Sequence, residues 1–298
     1  MSLYKQTIKL IPSYIALTKP GIIWLLLVTT LPAMILAANQ FPDFKLVCYT
    51  LIGGTLAAGG ANSMNHYFDR DIDKIMIRTS NRPLPNNIFP DSHALILGIL
   101  LSTIAIIFLY YTVNPLATFI TFLSIFFYVV IYTSYLKRRT VQNIVIGGAA
   151  GSTPPMIGWI AVTNEISIES IMLFLIVFYW TPAHFWALSL LKEADYSKAN
   201  VPMLPVVVGK QQACKMILLY SLALICISII FGIIAQTSWI YFSIAMPINI
   251  LLLKYSIVLL KEYSDQKARK LFLFSIAYLV FLFGGMAVDV LLSNLLFN

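Results

Sequence analysis

Charged residues are scarce in this sequence: 11% of its 298 residues are Asp, Glu, Lys or Arg, whereas 59% are hydrophobic. A soluble domain carries about 25% charged residues. The scarcity excludes an ordinary soluble fold and predicts an integral membrane protein. Acidic residues are the rarer kind, with 12 Asp and Glu against 20 Lys and Arg. In a membrane protein this excess belongs in loops facing the cytoplasm and anionic lipid; no nucleic-acid-binding pattern accompanies it.

Cysteine is also rare. Cys48, Cys214 and Cys226 lack Cys-x-x-Cys spacing, which argues against a disulfide framework and a zinc site. The segment Met1 to Pro20 is long and polar, so we expect the apolar run from about Gly21 to stay in the membrane rather than be cleaved as a signal peptide. An Arg-rich, acidic-poor presequence is lacking, and we therefore expect the bacterial inner membrane.

Nine apolar runs are long enough to cross a bilayer. They lie near residues 21–38, 46–62, 94–113, 116–135, 141–162, 168–190, 216–236, 239–260 and 271–292. The sequence thus predicts an all-α membrane protein with one domain, 1–298, and polar loops at about 63–92 and 191–213. Lys5, Lys9 and Lys19 precede the first span, and basic clusters follow the even-numbered spans. By the positive-inside rule, the N-terminus is cytoplasmic and the C-terminus outside.

The polar segment NSMNHYFDRDIDKIMIRTSNRPLP, residues 62–85, stands out in this apolar chain. If the helix of the second span continues through it, Asn65, Asp69 and Asp73 share one face, drifting about 40° per step. Two carboxylates and an amide oxygen are hard ligands that suit Mg²⁺, which is commonly bound together with substrate phosphates. The spacing predicts a magnesium site on this helix.

Cations follow within the same segment: Arg70, Lys74, Arg78 and Arg82. A guanidinium group can bind diphosphate oxygens in a bidentate way. Together with the acidic face, these residues predict a magnesium diphosphate site. The alternative is a solvated loop in which the acidic and basic residues only pair with one another.

Three other groups of residues are candidates. Tyr132 precedes the basic pair Lys137 and Arg138, which are also typical of an interfacial anchor. A second polar loop contains Lys192, Asp195 and Tyr196. His66 and His184 lie at the ends of spans, where a histidine binds a substrate or simply bonds a neighbouring helix. Lys254 and Asp289, inside apolar runs, have no assigned role.

The Asn65-x-x-x-Asp69-x-x-x-Asp73 pattern, with a second polar loop four helices later, resembles the UbiA superfamily of intramembrane prenyltransferases. Three segments resemble its heme branch, the protoheme IX farnesyltransferases or heme O synthases: DRDIDKIMIRTSNRPLP, YTSYLKRRTVQNIVIGGAAGSTPPMIGW and HFWALSLLKEADYSKANVPMLPVVVG. Lys192 and Tyr196 stand where quinone-forming members carry an Asp-x-x-x-Asp pair, and Asn200 stands where a glycine is common. The first departure weakens the carry-over of a second magnesium site.

The resemblance implies a helical bundle around a central cavity. It also implies an enzyme that joins farnesyl diphosphate to a vinyl group of heme b, with addition of water. It implies Mg²⁺ on Asn65, Asp69 and Asp73, and a catalytic set completed by Lys192 and Asp195, with Asp195 either joining a second metal or orienting the cations. The implied substrate-binding residues are Arg70, Arg78, Arg82, Tyr132, Lys137, Arg138, His66, His184 and Tyr196.

Within this set, Arg78, Lys137 and Lys192 are expected to bind diphosphate, and Arg138 or Arg82 the heme propionates. The rings of Tyr132 and Trp159 are expected to face the carbocation. His66 or His184 is expected to approach the heme iron or position the vinyl group, and the sequence does not choose between them. Candidate partners are membrane lipid, heme A synthase and the assembly of a terminal oxidase.

Two alternatives remain at this stage. One is a prenyltransferase of the same fold acting on another aromatic acceptor, such as 4-hydroxybenzoate; the form of the second loop and His184 argue against it. The other is a transporter with an anion site. The charges lie near the membrane surface rather than its midplane, and this position argues against transport.

Overall fold

Long apolar runs become helices in a bilayer because a helix pairs its own backbone N–H and C=O groups. The computed structural model describes the backbone of residues 3–297 and the side chains of residues 10–295; the side chains of Lys5 and Lys9 lie outside that range. Its helices are α1 (Leu3–Thr18), α2 (Pro20–Ala38), α3 (Phe44–Ile75), α4 (Asp91–Thr112), α5 (Pro115–Phe126), α6 (Asn143–Gly151), α7 (Thr153–Thr163), α8 (Ile168–Leu191), α9 (Glu193–Lys198), α10 (Leu204–Val208), α11 (Lys210–Ile234), α12 (Trp239–Lys261) and α13 (Asp265–Phe297).

In the described part of the chain these helices make nine candidate membrane spans, as the sequence predicted. α5 continues as a π-helical segment, Phe127–Tyr135, and a short 3-10 turn, Leu136–Arg138, so these form the fourth span. The largest buried core lies between α8, α11, α12 and α13. The loops 76–90 and 192–209 lie at the same end of the bundle, which we call the motif end.

The second and fifth spans differ from their predicted limits. α3 runs on from Asn62 to Ile75, so the acidic segment is helical and the first motif loop begins only at residue 76. The fifth span was predicted as one helix, but it is broken at Ser152 into α6 and α7. Pro154 and Pro155 follow the break; a proline lacks the N–H that would continue a helix, so α7 starts anew there.

α3 and α4 approach each other closely at Gly60 and Gly98. A Cβ atom on Gly60 would lie 2.8 Å from the carbonyl oxygen of Gly98, and one on Gly98 would lie 2.9 Å from the carbonyl oxygen of Gly60. Small residues at such a crossing let two backbones touch. The contact fixes the rotation of α3, and therefore the direction in which its acidic face points.

α1 lies outside the nine spans and packs against α3 and the first motif loop. Leu17 is buried with Leu84, Phe89 and Ala94. Tyr14 stacks on Phe89 with ring centroids 4.7 Å apart. These contacts hold the end of α1 beside the polar part of α3.

Candidate active site

The acidic face of α3 is buried as a unit. Asn65, Asp69 and Asp73 are only 3%, 1% and 2% exposed. The Asn65 side-chain amide donates to Asp69 Oδ2 at 2.8 Å and to Thr133 Oγ1 of the π-helical segment at 3.1 Å. The structure therefore brings these three predicted residues together, turned into the protein rather than toward solvent.

Cations from three distant parts of the chain converge on this face. Lys137 Nζ lies 2.5 Å from Asp69 Oδ2, and an Arg82 guanidinium nitrogen lies 2.7 Å from Asp73 Oδ2. Lys19 Nζ donates to Asn65 Oδ1 at 2.5 Å. The solvated-loop alternative does not fit, because these carboxylates are buried rather than exposed. Positive groups surround them where an anion could bind.

Lys19 was considered only as a topological charge, and its place in the site was missed. It adopts a left-handed backbone conformation, φ 53°, between α1 and Pro20 of α2. Burial is the largest cause that lowers the pKa of its ammonium to about 7, followed by the neighbouring Arg82 cation; Asp69 and Asp73 oppose this. A bound anion would raise that pKa again. The available signal was a lysine directly before the proline that opens the first span.

The donors on α3 fit a magnesium ion. Asp69 Oδ1 is buried without a hydrogen-bond partner among the described residues, which leaves an anionic oxygen free to bind a cation. Within residues 10–295, no group of three or more His, Cys, Asp and Glu side chains could hold a metal by itself. Two carboxylates and one amide would thus be completed by water or phosphate oxygens, as is usual for Mg²⁺.

The second polar loop contacts the first. Asp195 is 7% exposed, and its Oδ2 accepts from the backbone N–H of Arg78 at 3.3 Å. Tyr196 is buried beside Ile72 and Met76; this burial raises the pKa of its phenol, while Arg78 opposes the rise. Asp195 thus holds the first motif loop in place. Lys192 is partly buried and makes no ion pair within the described residues.

Arg70 and Arg138 bind other carboxylates than those of the acidic face. Arg70 lies 3.1 Å from Asp91. Arg138 makes two 2.6 Å hydrogen bonds to Asp71, which is 60% exposed. Both arginines line a cavity of about 360 Å³ with Asp71. The structure separates these two residues from the buried cluster.

Of the two rings expected to face a carbocation, only Tyr132 lies near the acidic cluster. It lies on the π-helical segment and stacks on Tyr128 with centroids 5.7 Å apart. A side chain at Gly147 would collide with the Tyr132 ring. The expectation for Trp159 was wrong: it lines a cavity with Asn39, at the end of the bundle opposite the motif end.

The two candidate histidines have different surroundings. His66 is 2% exposed, lies 4.0 Å from Asp73, and has no hydrogen-bond partner for either buried ring nitrogen among the described residues. His184 is partly exposed, and its Nδ1 lies 2.7 Å from Ser275 Oγ of α13.

Residues 26–282 match the UbiA prenyltransferase family. The chain belongs to this family. A similar solved structure comes from work on digeranylgeranylglyceryl phosphate synthase, with a TM-score of 0.78 at 17% identity, covering 94% of this chain and 98% of that one. Another is a UbiA homolog from Archaeoglobus fulgidus bound to DMAPP and Mg²⁺, with a TM-score of 0.65 at 14% identity, covering 93% of this chain and 99% of that one. The predicted all-α membrane fold is confirmed.

Closer relatives of this UbiA-family chain are called protoheme IX farnesyltransferase. One from Roseiflexus castenholzii is 44% identical over 280 residues, covering 94% of this chain and 52% of that protein. One from Rhodococcus jostii is 44% identical over 284 residues, covering 94% of both. The chain thus spans about half the length of the Roseiflexus relative and nearly all of the Rhodococcus one. The resemblance seen in the sequence is confirmed.

Proposed function

We propose that this chain is a protoheme IX farnesyltransferase. It transfers the farnesyl group of farnesyl diphosphate to a vinyl group of heme b, with addition of water, giving heme O and diphosphate. The observation that carries the proposal is the convergence of Lys19, Arg82 and Lys137 on the buried acidic face of α3. The names of the relatives support the choice of heme as the acceptor.

The cations would stabilise the negative charge that develops on the diphosphate as the C–O bond breaks. Ionisation of the C–O bond of farnesyl diphosphate leaves an allylic cation and a diphosphate whose negative charge increases. Fixed positive groups aimed at that charge stabilise the transition state, more strongly in a buried site than in water. Lys19, Arg82 and Lys137 would bind the diphosphate, with Arg78 and Lys192 of the two motif loops adding to them.

Asn65, Asp69 and Asp73 would hold Mg²⁺, which supplies further neutralisation of the departing diphosphate. In its absence, Lys137 and Arg82 balance the two carboxylates. When diphosphate binds, the same cations can turn to it while the carboxylates keep the metal. The acidic face and the cations thus act as two halves of one anion site.

The acceptor half of the reaction balances with water. The terminal vinyl carbon of heme b bonds to carbon 1 of the farnesyl cation, and the positive charge moves to the vinyl carbon next to the porphyrin. Water adds to that carbon and loses a proton, leaving a hydroxyl group. The face of Tyr132 would stabilise the first cation. Arg138, beside its cavity at the motif end, is the candidate partner for a heme propionate.

We infer that residues 1–298 form one membrane domain in a bacterial inner membrane, with the motif end in the cytoplasm. The basic clusters at that end support this orientation. Heme O is then made where heme A synthase or an assembling terminal oxidase would take it from the membrane.

Product mass tests the proposal. The purified chain in lipid vesicles receives heme b, farnesyl diphosphate and Mg²⁺, in ordinary water or in water labelled with ¹⁸O. We expect a heme enlarged by one hydroxyfarnesyl group, and ¹⁸O in that product. Parallel reactions receive 4-hydroxybenzoate instead of heme. A prenylated benzoate without any modified heme would overturn the acceptor, and no prenylated product at all would overturn the reaction.

A matched pair of variants links the product to the acidic face. Asp73→Asn removes the charge of a side chain that is 3% exposed. Asp71→Asn, two residues away, removes the charge of a side chain that is 60% exposed. We expect Asp73→Asn to abolish most of the product and Asp71→Asn to keep it. Equal losses would show that the charge of the segment matters and not the buried face.

A further inference from the structure

His184 is held rigidly between α8 and α13. Its imidazole stacks with the ring of Trp180, centroids 4.3 Å apart, and with that of Phe272, centroids 4.7 Å apart. The indole N–H of Trp180 donates to the backbone carbonyl of Ser275 at 2.7 Å. The plane of the imidazole is therefore fixed by two rings, one of which is tied to α13.

The contacts of Ser275 determine which nitrogen of His184 carries the proton. Ser275 Oγ lies 2.7 Å from His184 Nδ1 and 2.7 Å from the backbone carbonyl oxygen of Phe272. The carbonyl can only accept, so the single hydroxyl proton belongs to that bond. The hydroxyl oxygen then accepts a hydrogen bond from the Nδ1–H group of His184. The lone pair of the neutral imidazole is left on Nε2.

Nε2 of His184 is unpartnered in the described part of the chain. It has no hydrogen-bond partner among the described residues, and it is not one of the fully buried polar atoms that lack a partner. Both ring nitrogens of His66, in contrast, are sealed. Of the two histidines, only His184 therefore has a ring nitrogen that is neither hydrogen-bonded within the described residues nor fully buried.

His184 also lies at a suitable depth. It precedes the end of α8 at Leu191 by seven residues, and Asp69 precedes the end of α3 at Ile75 by six. At 1.5 Å per residue these are depths of about 10 Å and about 9 Å. Both helices end at the motif end, so the two side chains lie at nearly the same level of the bundle.

We propose that His184 Nε2 is the axial ligand to the iron of the acceptor heme, and that Ser275 is a positioning residue that fixes the tautomer. The inference rests on the proposed heme acceptor. A histidine that binds a metal usually donates its other ring N–H to a fixed acceptor, which sets its tautomer and raises its basicity. The bond is dative: Nε2 supplies both electrons, and no proton or redox equivalent is exchanged. It anchors the heme so that its vinyl group stays in one place.

Heme binding without farnesyl diphosphate tests the inference. Ferric heme b is added to the purified full chain in lipid nanodiscs and followed by absorption and resonance Raman spectroscopy. We expect the spectrum of a histidine-ligated heme. His184→Ala should lose it, weaken heme binding at least tenfold, and regain it with added imidazole. His66→Ala should keep the spectrum. Metal-free protoporphyrin should bind the wild type and His184→Ala within twofold of each other.

Two further variants keep the test sharp. His184→Met should replace the nitrogen-ligated spectrum by a sulfur-ligated one, which is a positive result even if His184→Ala fails to fold. After reduction of the bound heme to the ferrous state, Ser275→Ala should shift the iron–histidine stretching frequency, and Ser275→Thr should restore it, whereas a purely packing role would leave that frequency unchanged.

The outcomes separate this inference from the proposed function. Farnesyl transfer by the wild type, together with an unchanged heme spectrum in His184→Ala and His184→Met, would overturn the ligand and leave the function standing. A histidine spectrum that is lost in those variants, without any farnesyl transfer, would leave the ligand standing and overturn the function. A wild type that binds heme without a histidine signature overturns the ligand.

Discussion

Asp69 and Asp289 are both buried carboxylates on spanning helices, 1% and 4% exposed, yet their surroundings differ. Both oxygens of Asp289 are occupied: they accept from the backbone and hydroxyl of Ser238 and from the backbone N–H of Tyr241, where α12 begins. Asp69 has two donors on one oxygen and none on the other. A fully satisfied carboxylate stabilises the fold, whereas a partly satisfied one is ready for a ligand.

The two residues also belong to opposite ends of the bundle. Side-chain caps begin α3, α5, α8 and α12, all at the end opposite the motif end: Asp43, Asn114, Ser167 and Ser238. That end is closed by hydrogen bonds within the protein. At the motif end, the buried carboxylates Asp69 and Asp73 are paired with the cations Lys137 and Arg82. Burying such charged pairs costs stability unless a function requires them.

Asp69→Asn should give the largest effect on activity. Loss of its charge removes a proposed ligand of Mg²⁺, so we expect farnesyl transfer to fall by about 10²- to 10³-fold. The melting temperature should change little, because the amide can still accept from Lys137. Initial rates and thermal unfolding in the same nanodiscs measure both. A variant with near-normal rates would remove Asp69 from the site.

Asp289→Asn is the same substitution at the other carboxylate, and we expect the opposite result. Its new NH₂ group would face backbone donors at the start of α12, costing about 1–3 kcal/mol of unfolding free energy. Transfer per folded molecule should stay within about twofold. Thermal unfolding and the same rate assay check this. Loss of activity in fully folded protein would contradict the contrast.

Lys19→Met should act on substrate binding. Methionine keeps a long, unbranched side chain but removes one cation beside the acidic face. We therefore expect KM for farnesyl diphosphate to rise about tenfold, which corresponds to about 1.4 kcal/mol of binding free energy. Lys74→Met is the control, since Lys74 is exposed and makes no ion pair within the described residues. Equal effects of the two variants would indicate general attraction by positive charge.

Ser238→Ala should have the smallest effect. It removes one of the donors to Asp289 and also the cap of α12, whose Ile240 N–H lies 3.1 Å from Ser238 Oγ. We expect a loss of about 1 kcal/mol in stability, with activity unchanged. A loss as large as that of Asp289→Asn would mean that the hydroxyl alone supports the carboxylate.

The spans and the acidic face could be predicted from the sequence because both depend on local periodicity. Asn65, Asp69 and Asp73 are separated by about one helical turn, so helix geometry alone aligns them. The positions of Lys19 and Trp159 were not accessible in this way. Lys19 reaches the site through a left-handed residue and the packing of α1, and the depth of Trp159 depends on how α7 crosses α2. Neither has a local signal of comparable strength.

The backbone conformation of Asn200 bears on its departure from the pattern of the family. The family resemblance implies a glycine at this position, and the φ of Asn200 is 52°. Glycine adopts this left-handed conformation without strain, and asparagine tolerates it better than most residues. The replacement therefore preserves the turn that leads the second motif loop back to the bundle.

The glycine contact between α3 and α4 has a mechanical consequence. The backbones of α3 and α4 approach each other closely there, so we expect a turn of α3 about its axis to require movement of α4. The carboxylates of Asp69 and Asp73 are then expected to keep their position relative to α4. Under the proposed function, any opening that admits substrate or releases diphosphate would involve the parts that bear the cations: the end of α1, the first motif loop and the end of the fourth span.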